Sequence, residues 1–222
     1  MAQAPILEGK TALDELGRAI GDLGLHGVTI TSQVGGFSLD SPNLYDFYET
    51  VCALDVPVFV HPALVPTGYE HLKDYDLPRV LGREVDLTVA TTRLIAGGIF
   101  DRGPNLKIVM AHFGNPWCMD AAEVMYKNDN VWADVSAILV GAAAHFAKIT
   151  ATGYLQRTVD RVRHAIEFTE RPDRFLYGTD WPLAPMNVYA DFVRLLFDEE
   201  HHQAVFEDNA RSLFKLAGEL SE

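Results

Sequence analysis

Short apolar runs alternate with longer amphipathic segments along the 222-residue chain. A continuously apolar run of about four to eight residues is typical of a strand buried on both faces, whereas apolar residues three or four positions apart are typical of a helix. Strands are predicted at five places: "GVTITSQV", "VPVFVHP", "NLKIVMAHFG", "NVWADVS" and "RFLYGTD". Because buried strands alternate with helices, the pattern predicts an α/β fold built on a parallel sheet.

The segments between these runs have helical spacing. Thr11 and Asp14 are predicted to form a capping box, and a helix is expected from there to Gly24. Ser41 and Pro42 predict the start of the next helix. Further helices are predicted with Val85, Val89 and Leu94 on one face, through Leu155, Val159, Val162 and Ile166, and along a wholly helical tail from Val188 to Leu216.

The turn after the first predicted strand bears on the choice between an open sheet and a barrel. This turn, "SQVGGFS", contains only Gly35 and Gly36 and does not match the glycine-rich fingerprint of a dinucleotide-binding sheet. A β/α barrel is therefore favoured. No fixed-period repeat, low-complexity run or linker interrupts the sequence, so residues 1–222 are predicted to form a single domain.

Charge and cysteine content narrow the class of partner. The chain has 18 basic and 31 acidic residues and a net charge of -13, which repels nucleic acids and anionic membranes. No apolar run approaches the roughly 20 residues that span a bilayer. With only two cysteines and an N-terminus unlike a signal peptide, we expect a cytoplasmic protein that acts on a small-molecule substrate.

Three predicted strands end on a side chain that can bind a metal: His61, His112 and Asp180. A proline or glycine follows each of them within two positions and stops the strand. In a barrel of parallel strands these ends share one rim, so the three side chains are expected to converge there. Imidazole and carboxylate together suit zinc, manganese or iron, which can lower the pKa of a bound water to about 7. The pattern indicates a hydrolase-like or lyase-like site.

Each of these residues also has a structural interpretation. A single histidine at a strand end is more often a hydrogen-bonded structural residue. Asp180 is a suitable N-cap for a following helix, and Trp181 suits a core position. The pair His201-His202 is expected on a solvated helix face, and Cys118 is a weak candidate nucleophile. Four other histidines are expected at the surface or in loops: His26, His71, His145 and His164.

The order of motifs resembles that of a known family. "VFVHP", "NLKIVMAHFGNP", "NVWADVS", "RFLYGTDWP" and "EDNARSLFKL" resemble the amidohydrolase-related family that includes aminocarboxymuconate-semialdehyde decarboxylase. The likeness runs from about Ala12 to the C-terminus. It implies a distorted TIM-barrel fold and one divalent metal, commonly zinc or manganese. It also implies that His61 and Asp180 bind the metal, and that His112 acts with Asp180 in catalysis as the general acid/base.

One motif of that family has no counterpart here. The first strand of the family carries a His-x-His pair, and no such pair occurs in the 222 residues. The first strand or strands are therefore expected to be missing. A catalytic zinc has about three protein ligands and only two are assigned, so the isolated chain is expected to hold metal weakly or not at all. The uncovered edge of "GVTITSQV" predicts a homo-oligomer, since "MAQAPILEGK" is too short to replace the missing strands.

These observations lead to two hypotheses of different classes. In the first, the chain is a metal-dependent enzyme that hydrolyses an amide, lactone or C–C bond by metal-activated water, or decarboxylates an unsaturated or aromatic acid without oxidation. In the second, it is a catalytically inactive, truncated relative that acts as a structural or interaction protein. Metal content of the purified chain discriminates between the two.

Overall fold

The chain divides into two compact units in a computed structural model that describes residues 1–216. Unit 1 comprises Met1–Met110 with the chain from Leu213 onward, and unit 2 comprises Ala111–Ser212. The single domain predicted for residues 1–222 stays a prediction, and its residues 217–222 lie outside the described part.

Unit 1 contains three parallel strands and a short antiparallel hairpin. The strands and helices are β1 Val28–Thr31, β2 Gln33–Val34, β3 Phe37–Ser38, β4 Val58–His61 and β5 Ile108–Met110, with α1 Lys10–Gly21, α2 Tyr45–Leu54, α3 Arg83–Ala96 and α4 Ile99–Arg102. Strand β4 pairs with β1 on one side and with β5 on the other. The register places Thr31 opposite His61 at the C-terminal ends of β1 and β4.

The core of unit 1 is formed by strand residues and one face of each helix. Val28 of β1 and Val60 of β4 are fully buried in one cluster with Leu16 of α1, Phe47 of α2 and Leu94 of α3. These apolar side chains were visible as periodic positions in the sequence. Their burial fixes the helices against the sheet and so positions the strand ends.

Two predictions for unit 1 are wrong in detail. Helix α1 begins at Lys10 after Gly9, which has a φ of 66°, and among the described residues no side chain caps this helix. Thr11 therefore lies inside the helix and forms no capping box. In α3, Val89 is 42% exposed, because the buried face follows Leu87 and Ala90. The predicted start at Ser41 is confirmed, since its side chain accepts a hydrogen bond from the backbone N–H of Asn43.

Unit 2 carries the remaining two predicted strands. Its elements are α5 Cys118–Lys127, β6 Val131–Asp134, α6 Ala143–Ala151, α7 Tyr154–Thr169, β7 Phe175–Leu176, α8 Met186–Leu196 and α9 Asn209–Leu213. Strands β6 and β7 are parallel, with Ala133 opposite Phe175. Strand β7 is short because the backbone N–H of Tyr177 donates to the carbonyl of Val205 rather than continuing the ladder.

The tail is not the continuous helix that the sequence predicted. Helix α8 ends at Leu196, and Phe197 is extended with a φ of -127° and a ψ of 154°. Phe197 is buried and packs edge-on against Phe175 at a ring-centroid distance of 5.5 Å. The break therefore directs this aromatic side chain into the core.

Within residues 1–216, every helix falls short of the length or the apolar character needed to cross a bilayer.

Candidate active site

The chain turns sharply at His112. His112 and Phe113 have φ values of 60° and 46°, a left-handed conformation that costs a residue other than glycine about 1–3 kcal/mol. Phe113 is fully buried and contacts Phe175 edge-on at a ring-centroid distance of 4.9 Å. Packing of this phenylalanine holds the turn, and His112 is left 5% exposed.

Asp134 and Ser136 orient His112 through hydrogen bonds to its backbone N–H and to its Nδ1. Oδ1 of Asp134 accepts hydrogen bonds from the backbone N–H of His112 at 3.0 Å and from the backbone N–H of Ser136 at 2.8 Å. It also accepts one from the Ser136 hydroxyl at 2.6 Å. A serine hydroxyl has one proton, and here that proton points to Asp134. Ser136 Oγ therefore accepts from His112 Nδ1, which lies 2.8 Å away.

This arrangement decides the tautomer of His112. Because Nδ1 carries a proton, Nε2 is the nitrogen that can bind a metal or exchange a proton. Strand β6 presents Asp134 at its end, and Ser136 follows two residues later. Gly178 permits the approach of Ser136, since a Cβ at position 178 would lie 3.1 Å from the Ser136 Cβ.

Tyr189 supports the segment that carries Ser136. Its hydroxyl donates to the carbonyl of Val135 at 2.7 Å and accepts from the backbone N–H of Ile138 at 3.0 Å. Burial raises the pKa of Tyr189 well above its usual value, so the hydroxyl stays protonated and keeps donating. Val135 and Ile138, one on each side of Ser136, are thereby held to α8.

Asp180 lies beside His112 in unit 2. Its carboxylate oxygen and a ring nitrogen of His112 are within 4.8 Å of each other, close enough for both side chains to approach one ion. Asp180 has a φ of 56°, and its carbonyl accepts from the backbone N–H of Leu183 at 2.9 Å. The structure contradicts two alternatives: the N-cap of α8 is Pro185, and Trp181 is 68% exposed and so is not a core residue.

His61 is the last residue of β4 in unit 1 and is half-buried. Its Nδ1 lies 3.0 Å from the carbonyl oxygen of Pro62. A carbonyl can only accept, so Nδ1 is the protonated nitrogen and Nε2 is the nitrogen whose lone pair suits a metal. The prediction that His61 joins His112 and Asp180 at one rim stays a prediction.

Within the described part of the chain, the surroundings of the other candidates do not favour catalysis. Burial raises the pKa of the Cys118 thiol, which disfavours the thiolate that a nucleophile needs. His202 Nε2 lies 3.0 Å from the carbonyl of Arg194, and His201 lies beside Glu200 at 3.6 Å. Both histidines are partly exposed and make these contacts within the tail.

The sequence analysis missed Asp134 and Ser136 as site residues. Both lie in "NVWADVS", which was interpreted only as a strand. The available signal was two polar residues two positions apart at the end of a buried strand, which places both side chains on the same side of the backbone.

The sequence profile of the amidohydrolase family matches residues 1–216. This chain belongs to the amidohydrolase family. A gamma-resorcylate decarboxylase from Polaromonas sp. strain JS666 is 30% identical and aligns with 97% of this chain and 69% of its own length. A 2-amino-3-carboxymuconate-6-semialdehyde decarboxylase from Dictyostelium discoideum is 36% identical over 51% of this chain and 32% of its own length. The chain therefore spans about a third of one relative and about two thirds of the other.

A solved structure shows the same fold. The dihydroxybenzoic acid decarboxylase of Polaromonas sp. JS666, solved with bound manganese and 2-nitroresorcinol, superimposes with a TM-score of 0.74. It is 23% identical, and the match covers 97% of this chain and 68% of that chain. Family membership and this likeness confirm the α/β, TIM-barrel-like fold class predicted from the sequence.

Proposed function

We propose that this amidohydrolase-family chain is a metal-dependent decarboxylase of a small aromatic or unsaturated carboxylic acid. The observation that carries this proposal is the His112 imidazole, held by Ser136 and Asp134 with Nε2 as its reactive nitrogen, beside the Asp180 carboxylate. The relatives named above are decarboxylases, which favours this reaction over hydrolysis of an amide or lactone.

The donor set of the proposed site suits a divalent transition metal. His61 Nε2 and the Asp180 carboxylate would hold the ion, with His112 next to it. Neutral imidazole and carboxylate are ligands that both manganese and zinc accept, and the manganese bound to the Polaromonas decarboxylase makes manganese the first ion to test. A divalent ion there supplies positive charge for the carboxylate of the substrate, which a chain of net charge -13 otherwise repels.

His112 would supply the proton that replaces the carboxyl group. In its protonated form, Nε2 donates a proton to the ring carbon that bears the carboxylate. The bond between this carbon and the carboxylate then breaks, its electron pair restores the unsaturated system, and CO2 leaves. His112 is left neutral at Nε2 and regains a proton from water. Ser136 keeps Nδ1 protonated throughout and so keeps Nε2 directed to the substrate.

The proposal also covers the binding partner and the cellular location of the enzyme. A small organic acid is the partner, and the net charge of -13 argues against nucleic acids and anionic membranes. Cys52 and Cys118 are free thiols, which suits a cytoplasmic location.

The test is decarboxylation of 2,6-dihydroxybenzoate (gamma-resorcylate) by the purified chain, with and without added Mn²⁺, followed as resorcinol formed. We expect turnover that depends on Mn²⁺ and is lost on dialysis against a chelator. His112→Asn is expected to lower kcat about 100- to 10,000-fold because the proton donor is removed. His201→Gln, a histidine of the tail, is the matched control and should keep full turnover. A folded chain with neither Mn²⁺ binding nor turnover of any aromatic acid supports the inactive-relative hypothesis instead.

A further inference from the structure

A buried carboxyl group in unit 1 receives hydrogen bonds from two side chains. Asp86 of α3 is only 3% exposed. Its Oδ2 accepts from the Ser32 hydroxyl at 2.6 Å, and its Oδ1 accepts from the Gln33 amide at 2.7 Å. Burying a polar group costs free energy unless it is hydrogen-bonded, and both oxygens of this side chain accept a hydrogen bond.

Ser32 holds both sides of the turn that follows His61. The backbone N–H of Ser32 donates to the carbonyl of His61 at 2.9 Å. The Ser32 hydroxyl oxygen accepts from the backbone N–H of Ala63 at 2.8 Å, while its own proton goes to Asp86. The residue Pro62 is therefore bracketed by two hydrogen bonds from one serine.

The Pro62–Ala63 peptide connects this serine to the imidazole. Its N–H donates to Ser32, and its C=O accepts from His61 Nδ1 at 3.0 Å. A peptide group is planar and rigid, so fixing its N–H also fixes its C=O. An unbroken line of hydrogen bonds thus runs from Asp86 through Ser32 and this peptide to His61.

We infer that Asp86 is a positioning residue for the metal-binding imidazole of His61. Acting through Ser32 and the Pro62–Ala63 peptide, it sets the Nδ1-protonated tautomer and the direction of the ring, so that Nε2 is presented to the metal. This inference rests on the role of His61 as a ligand in the proposed function. Outer partners of this kind commonly change metal affinity about 10- to 100-fold.

The same carboxylate also anchors the loop after His61. Gln33, which donates to Asp86, accepts from the backbone N–H of Thr67 at 2.9 Å and from its hydroxyl at 2.7 Å. The Gln33 amide also donates to the Thr67 carbonyl at 3.0 Å. Asp86 therefore orders the loop by a route separate from Ser32, and a test of its effect on His61 must separate the two routes.

The experiment uses the metal-free full chain and three variants: Asp86→Asn, Ser32→Ala and the double variant. Nitrogen-15 NMR of labelled histidine reads the tautomer of His61, assigned with His61→Gln. Thr91→Val is the matched control, because Thr91 is a buried hydroxyl of the same helix that donates to the carbonyl of Leu87. Mn²⁺ affinity is measured in parallel by titration, and folding is checked by circular dichroism.

The unaltered chain and Thr91→Val should show His61 protonated at Nδ1. Ser32→Ala and Asp86→Asn should show mixed tautomers and bind Mn²⁺ about 10- to 100-fold more weakly. Since the residues act in series, the double variant should lose no more Mn²⁺ affinity than the weaker-binding single variant. A folded Ser32→Ala chain that keeps the Nδ1 tautomer overturns the inference, even where Asp86→Asn fails to fold. Failure of the proposed function has another signature: the unaltered chain shows the Nδ1 tautomer but neither binds Mn²⁺ nor decarboxylates.

Discussion

A single serine hydroxyl determines which nitrogen of His112 is reactive. The Ser136 proton goes to Asp134, so the serine can only accept from His112 Nδ1. His61 has an analogous arrangement in unit 1, where Asp86 and Ser32 act through one peptide group. At the scale of residues, an aspartate and a serine thus orient each of these two histidines with Nδ1 protonated, so that Nε2 is the reactive nitrogen.

Ser136→Ala is expected to lower kcat for decarboxylation about 10- to 100-fold, because the tautomer and direction of the His112 ring are no longer fixed. The free energy of unfolding should fall by about 1–3 kcal/mol, since Nδ1 loses its buried partner. Steady-state kinetics and urea unfolding measure the two effects. Thr158→Val is the control, since Thr158 is a buried hydroxyl of α7 that donates to the carbonyl of Tyr154. A Ser136→Ala chain with unchanged kcat contradicts the role assigned to this hydroxyl.

At the scale of elements, the site depends on where strands stop. Strand β7 stops after Leu176 because Tyr177 bonds to Val205, and the chain that follows is released to place Asp180 beside His112. Gly178 lies in this released segment, against Ser136. A side chain at position 178 would occupy the space that Ser136 needs.

Gly178→Ala is therefore expected to displace Ser136 and to lower both kcat and stability. A Cβ 3.1 Å from the Ser136 Cβ is tighter than ordinary contact, and overpacking of this kind costs about 1–3 kcal/mol. Gly17→Ala in α1 is the matched control, since a Cβ there meets nothing within 4 Å. The control should raise the free energy of unfolding by about 0.5–1 kcal/mol through helix propensity. If both variants had the same free energy of unfolding, the contact between position 178 and Ser136 would not limit packing.

At the scale of the whole molecule, the sequence predicts self-association through the edge of β1. The N-terminal segment covers part of this edge: Ala2 donates to the carbonyl of Gly27 at 2.7 Å and accepts from the backbone N–H of Thr29 at 2.8 Å. Other apolar surface stays exposed in unit 1, where Leu64 and Val65 are each 65% exposed. Exposed apolar patches favour association.

We expect the purified chain to be a homo-oligomer at micromolar concentration, as measured by sedimentation velocity. Replacing Leu64 and Val65 together by lysine should shift the distribution toward the monomer if this surface is buried between copies. The double replacement Asp14→Lys and Glu15→Lys on α1 changes net charge in the same direction and is the control. An unaltered chain that sediments as a stable monomer contradicts the predicted self-association.

The sequence by itself determined the order of elements and the candidates at the strand ends. Burial repeats along a strand or helix are local, so five strands and the positions of His61, His112 and Asp180 could be predicted from spacing. The same local patterns misplaced the start of α1 and the break at Phe197, where a glycine turn and the packing of a buried ring decide.

Only the tertiary structure decided the chemistry of the imidazoles. Ser32 meets Asp86 across a separation of 54 residues, and His112 meets Ser136 across 24. No periodicity connects such positions, because hydrogen bonds between them form only after the strands and helices have packed. The protonated nitrogen of His112 follows from the distant Ser136. For His61 it follows from the adjacent Pro62 carbonyl, whose peptide group the distant Ser32 holds in place. The reactive Nε2 is therefore a property of the folded chain.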